Sequence, residues 1–92
     1  MGDRHFWFRA RNQVITTLTH QIIAGLAPGY RVLEVGCGTG NVLRVLEQVC
    51  AQGMVVGMDL SPRFAKAARK FYGLDVIVGD LQRVTLRRII LI

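Results

Sequence analysis

The sequence predicts an α/β fold in which helices cover a parallel sheet, and three observations predict it. Short β-branched runs alternate with segments of helical periodicity. A glycine-rich run stands where the first strand passes into a helix. An acidic residue stands at the end of each strand-like run: Glu34, Asp59 and Asp80. The 92 residues form one domain at most. With 51% hydrophobic and 20% charged residues, 10 Gly and 2 Pro, the composition excludes a disordered or collagen-like chain. No apolar stretch approaches the roughly 20 residues of a spanning helix. Arg4 and Arg9 interrupt the N-terminal apolar run, so no signal-peptide core is read there.

The elements follow in order. Val14, Ile15, Leu18, Ile22 and Leu26 recur at steps of three and four, which predicts a helix over 5–26, ended by Ala27-Pro28-Gly29. Residues 31–35 read as a strand that opens into Gly36-Cys37-Gly38-Thr39-Gly40. In the next helix Val42, Leu43, Leu46, Val49 and Cys50 share a face, with Arg44, Glu47 and Gln48 opposite. Gly53 ends it, and 54–58 read as a buried strand closing at Asp59. Ser61 is a helix cap and Pro62 suits the first turn. Ala65, Ala68, Phe71 and Tyr72 form that helix's expected inner face, and Gly73 its C-terminal stop. Residues 76–78 are a third short strand before Gly79-Asp80.

The order is thus a helix followed by β-α-β-α-β. Right-handed crossovers make this one half of a Rossmann-like doubly wound parallel sheet. The tail, 82–92, reads as strand or helix. A parallel neighbour needs a crossover of about ten residues, and too few separate Asp80 from Val84. The expectation is that the tail does not complete a fourth strand in a monomer. Its apolar ending suits a truncated or altered C-terminus, and the free sheet edge favours self-association.

Twelve Lys+Arg against six Asp+Glu give a net charge of +6, which suggests an anionic partner. The charge is spread from Arg4 to Arg88 rather than gathered in one run, which favours a small molecule over nucleic acid. If Gly40 to Ala51 is helical, Cys37 and Cys50 lie roughly 18 Å apart, too far for a disulfide. No Cys/His cluster suggests a metal, and the chain reads as cytoplasmic with reduced thiols. His5 and His20 form no nucleophilic constellation. Phe6, Trp7 and Phe8 suit either a pocket cap or, preferably, an apolar anchor for the first helix.

The glycine loop carries the chemistry. No Lys follows it, which excludes a P-loop. The third glycine of a dinucleotide fingerprint would fall on Asn41. Glu34, two residues before the first glycine, would repel a pyrophosphate. It suits a ligand with a cationic amino group. Asp59, about 20 residues beyond the loop, stands where a carboxylate accepts from a ribose diol.

Glu34-x-Gly36-x-Gly38-x-Gly40 resembles motif I of the class I S-adenosylmethionine-dependent methyltransferases. The resemblance continues through Asp59 and Asp80 and covers residues 5 to about 81. His5-Phe-Trp-Phe-Arg-Ala-Arg-Asn12 resembles the opening of some small members. It implies S-adenosylmethionine as cofactor. It implies a loop of Gly36, Cys37, Gly38 and Gly40 against the methionine part and ribose, with Glu34 holding the amino group through water. Asp59 would accept from the ribose hydroxyls, Leu60 would pack on adenine, Asp80 would accept from the adenine amino group, and the Leu81 N–H would reach a ring nitrogen. Residues 1–92 are then a single partial methyltransferase domain: a helical cap (1–30), a cofactor-binding half (31–81) and an atypical tail (82–92). Nothing after Asp80 matches the family's acceptor side, so no catalytic base is named. The alternative is a non-catalytic nucleotide-binding or assembly module on the same half-fold.

Overall fold

The computed structural model describes residues 4–80 and 89–92. Its elements are α1 (Arg4–Ile23), β1 (Arg31–Val35), α2 (Leu43–Val49), β2 (Met54–Asp59), α3 (Pro62–Tyr72), β3 (Val76–Val78) and β4 (Ile89–Leu91). The four strands form one parallel sheet in the order β3-β2-β1-β4. All strands therefore end on one edge. The order reverses between β1 and β4, which is where open α/β sheets leave a crevice for ligands.

The core lies under one face of the sheet. Val32, Val55 and Val76 of the strands meet Leu43, Leu46 and Cys50 of the α2 region and Ala65 and Ala68 of α3. Leu43, Leu46, Ala65 and Ala68 are at most 1% exposed. The small alanines let α3 approach the sheet closely. Its ends follow local rules: Ser61 Oγ accepts from the Phe64 N–H at 3.2 Å, and Gly73 closes the helix in the left-handed region at φ 62°. Phe71 and Tyr72, expected inside, are exposed. The short α3–β3 connection carries Leu74 into the core in their place.

α1 departs from its expected face. It ends at Ile23, and Leu26 lies beyond it in a turn, its N–H donating to the Ile23 carbonyl. Val14, Leu18, Ile22 and Leu26 are about half-exposed, whereas Thr19 is buried and Ile15 and Ile23 pack on the core. The helix carries two apolar stripes. The one spaced 15, 19 and 23 is turned inward, with a threonine at its centre, where apolar periodicity gives no signal.

The tail corrects a second expectation. β4 pairs in parallel with β1, Arg31 opposite Ile89 and Leu33 opposite Leu91. The Val35 N–H donates to the Ile92 carbonyl at 3.0 Å, and the Ile92 N–H to the Leu33 carbonyl at 2.9 Å. The strand begins at Ile89, not Val84. Residues 79–88 thus separate it from β3, which meets the crossover requirement of about ten. Leu81 and the tail residues 82–88 lie outside the described residues. Among the described residues no helix is long and apolar enough to cross a membrane.

Candidate cofactor site

β1 delivers Glu34 and the glycine loop to the carboxyl edge of the sheet. The loop is fastened to β2: Gly36 N–H and Cys37 N–H both donate to the Met58 carbonyl, at 2.8 and 3.0 Å. Gly36 and Gly38 hold φ of 71° and 58°, backbone that side chains rarely adopt. A Cβ on either would meet no atom of the described residues within 4 Å. The loop therefore presents backbone to open space. Gly40 also holds a positive φ, 97°, but it is buried, and a Cβ there would meet Leu74 Cδ1 at 2.5 Å. Its glycine serves packing against the α3–β3 connection rather than the open side of the loop.

The three acids step across neighbouring strands. Glu34 lies near the end of β1, 8% exposed, and its Oε1 is buried with no hydrogen-bond partner among the described residues. Burial pushes its carboxyl up to about 7, and the Arg11 guanidinium partly opposes that shift. Asp59 ends β2: its Oδ2 accepts from Gly38 N–H and its Oδ1 from Ser61 N–H, both at 2.8 Å. Asp80 follows β3 and is half-buried. The Gly79 N–H donates to the Asp59 carbonyl at 3.0 Å, so the second and third acids sit on linked strand ends. Leu60 is 73% exposed beside them.

Cys37 turns inward and joins the core. Burial, then the charges of Glu34 and Asp59, push its thiol up to about 11. It is a protonated packing residue beneath the loop. Gly57, which the sequence reading passed over, faces it. A Cβ at Gly57 would meet Leu43 Cδ2 at 2.6 Å and Cys37 Sγ at 2.7 Å. Only a glycine in β2 lets the loop settle this close to the sheet.

Arg11 was also passed over. Its guanidinium lies 4.9 Å from the Phe8 ring centroid and 5.5 Å from that of Trp7. Its Nη2 donates to Asn12 Oδ1 at 3.2 Å. Trp7 is 59% and Phe6 70% exposed, so these two do not anchor the helix as expected, whereas Phe8 is half-buried. Trp7 and Phe8 meet edge to face at 5.5 Å and support Arg11. The signal in the sequence was the three-residue step from Phe8 to Arg11 on a helix.

The site's residues fit S-adenosylmethionine. The buried Glu34 oxygen lacks a donor that an ammonium group would provide. The glycines leave backbone open to a ligand, and the Asp59 oxygens keep lone pairs for a diol. No group of three or more metal-ligating side chains occurs among the described residues. A hollow of about 910 Å³ lies instead between Leu26–Arg31 and Ile89–Ile90, at the amino ends of β1 and β4. No carboxylate is among its described lining residues, whereas the three acids lie toward the opposite edge.

A family profile for a methyltransferase domain matches residues 32–88. The chain belongs to that family. A ribosomal protein L11 methyltransferase of Burkholderia mallei is 45% identical over 42 residues, 46% of this chain and 14% of the relative. A trans-aconitate 2-methyltransferase of Mycobacterium marinum is 38% identical over 52 residues, 56% of this chain and 19% of the relative. Among solved structures, an SAM-bound amino pentose methyltransferase from Micromonospora echinaspora superposes with a TM-score of 0.65 at 25% identity. The match covers 94% of this chain and 38% of that one. A magnesium protoporphyrin IX methyltransferase from Synechocystis with bound SAH gives 0.67 at 23% identity, over 99% and 46%, a likeness of fold. The chain thus spans less than a fifth of these curated relatives and under half of these solved chains.

Proposed function

We propose that this chain is the cofactor-binding half of an S-adenosylmethionine-dependent methyltransferase that acts on a small-molecule acceptor. The observation that carries the reading is the buried Glu34 Oε1, without a partner among the described residues, two residues before open Gly36 of the glycine loop. Glu34 would hold the amino group, and Gly36 and Gly38 would lie against the methionine part. Asp59 would accept from the ribose hydroxyls while keeping the loop in place. Leu60 would cover one adenine face. Asp80 and the Leu81 N–H would read the adenine edge. The bound cofactor supplies a sulfonium methyl for in-line displacement by an acceptor nucleophile. This chain's contribution is position and electrostatics. Cys37, buried and protonated, supplies no nucleophile.

The buried free thiols Cys37 and Cys50 support a reducing, cytoplasmic setting. A second reading, an assembly module, draws on the apolar edges: Ile77, Val78 and Leu91 are 44–47% exposed on the outer strands β3 and β4. Either edge is open to pairing with a second copy.

Thermal denaturation with S-adenosylhomocysteine tests the main reading. A ligand of the folded state raises Tm with its concentration. The rise should be smaller for Glu34→Gln. No rise at millimolar ligand would overturn the proposal.

A further inference from the structure

We propose that the cleft between α1 and the loop entering α2 seats the anionic groups of the methyl acceptor, a small molecule carrying two or more carboxylate or phosphate groups. The role as acceptor site rests on the function proposed above.

The cleft encloses about 190 Å³, and Arg9, Arg11, Arg44, Asn12, Asn41 and His5 border it. No acidic side chain is among its described lining residues. Guanidinium groups stay charged at any working pH, and a concave wall focuses their field. Two of the three are held in place by rings. Arg11 stacks on Phe8 and Trp7 and shares Asn12 Oδ1. Arg44 lies 4.9 Å from the Tyr72 ring centroid. Little side-chain freedom is left to lose when an anion arrives. The planar forks and two side-chain amides suit oxygen acceptors.

Charge count sets the ligand class. One carboxylate satisfies one bidentate guanidinium. Buried Glu34 stands near Arg11 and offsets part of its charge. Arg9 and Arg44 remain for a further anionic group. Place sets the role. Asn41 directly follows Gly40, so the cleft opens beside the glycine loop. A ligand anchored there lies next to the methionine end of the proposed cofactor site.

Calorimetry on the whole chain tests this, with citrate and pyrophosphate as probes, each with and without saturating S-adenosylhomocysteine. At least one probe should bind with a stoichiometry of one. The exposed pair Arg9→Gln/Arg44→Gln should weaken it by about tenfold or more, the scale of lost charge-assisted bonds. The pair should leave S-adenosylhomocysteine affinity unchanged, and that ligand should not displace the probe. Lys66→Gln on α3 should change nothing, and an equal loss there means diffuse attraction to a basic chain and overturns the proposal. Displacement of the probe by S-adenosylhomocysteine, with the Arg pair weakening both, assigns the cleft to the cofactor's own carboxylate and overturns it too. Binding of S-adenosylhomocysteine but of neither probe overturns the acceptor site and leaves the cofactor reading standing. Failure of S-adenosylhomocysteine to bind removes the cofactor reading and the acceptor role together.

Discussion

Asp59 reaches back 21 residues to hold Gly38: its Oδ2 accepts the loop N–H at 2.8 Å while its Oδ1 accepts from Ser61 N–H at 2.8 Å. One side chain thus fixes both the loop tip and the entry to α3. A ligand diol would bind a carboxylate already held rigid by these two bonds.

Asp59→Ala should therefore act twice. It should lower stability by about 1–3 kcal/mol, because two part-buried N–H groups lose a charged acceptor. It should also weaken S-adenosylhomocysteine binding by about 1–3 kcal/mol. Asn at this position keeps one acceptor oxygen and should fall between. Urea denaturation and calorimetry read the two effects separately. An alanine variant unchanged in both would show that Asp59 is a passive turn residue.

Two glycines should separate packing from binding. Gly57→Ala sets a methyl against Leu43 and Cys37 and should cost about 1–3 kcal/mol of stability. Gly36→Ala meets no described atom within 4 Å, but its φ of 71° costs about 1–2 kcal/mol in an L-residue. On the proposed function the added methyl also stands on the ligand side of the loop. Gly36→Ala should therefore lose proportionally more binding than stability, and Gly57→Ala the reverse. Equal ratios in the two variants would contradict the division.

Glu34 should make stability depend on pH. Its folded carboxyl is raised from 4.5 to about 7 by burial, so the folded state holds its proton more tightly than the unfolded one. That contribution is complete below about pH 4.5 and is lost as pH rises through about 7. Glu34→Gln should flatten this slope and be the more stable protein at pH 8. Binding a ligand ammonium needs the ionised form, so S-adenosylhomocysteine affinity should rise between about pH 6 and 8 in the parent only. Parallel pH profiles for parent and variant would remove Glu34 from the account.

The sheet and its site were unequally legible in the sequence. β1 to β3, the Ser61 cap and the Gly73 stop rest on local signals, and the structure places them as read. Glu34, Asp59 and Asp80 were found because each stands at a strand end, a position the periodicity locates. The inward face of α1 was not legible, because Thr19 replaces an apolar residue at its centre and Val14, Leu18 and Ile22 make a stronger stripe outside. Gly57 was missed because its role depends on a contact across the fold with Cys37, and Arg11 because its effect on Glu34 acts between elements far apart in the sequence. β4 was missed because its pairing with β1 is set by topology, and its start was placed five residues too early.

β4 gives a prediction of its own. The Val35 and Ile92 amides, bonded across the β1–β4 pair, should exchange with solvent as slowly as those of Val56 in the sheet centre. Ile90 packs on the core, and Ile90→Ala should cost about 1–2 kcal/mol. Fast exchange at Val35 and Ile92 together with a neutral Ile90→Ala would return the tail to an unpaired segment.

The loop and its acids should bind a nucleoside carrying an amino acid rather than a dinucleotide. Calorimetric titration of the whole chain with S-adenosylhomocysteine and, separately, with NAD tests it most directly. One saturable site is expected for S-adenosylhomocysteine and no saturable heat for NAD, because Glu34 opposes a pyrophosphate and Asn41 replaces the third dinucleotide glycine. Tighter binding of NAD than of S-adenosylhomocysteine would contradict it.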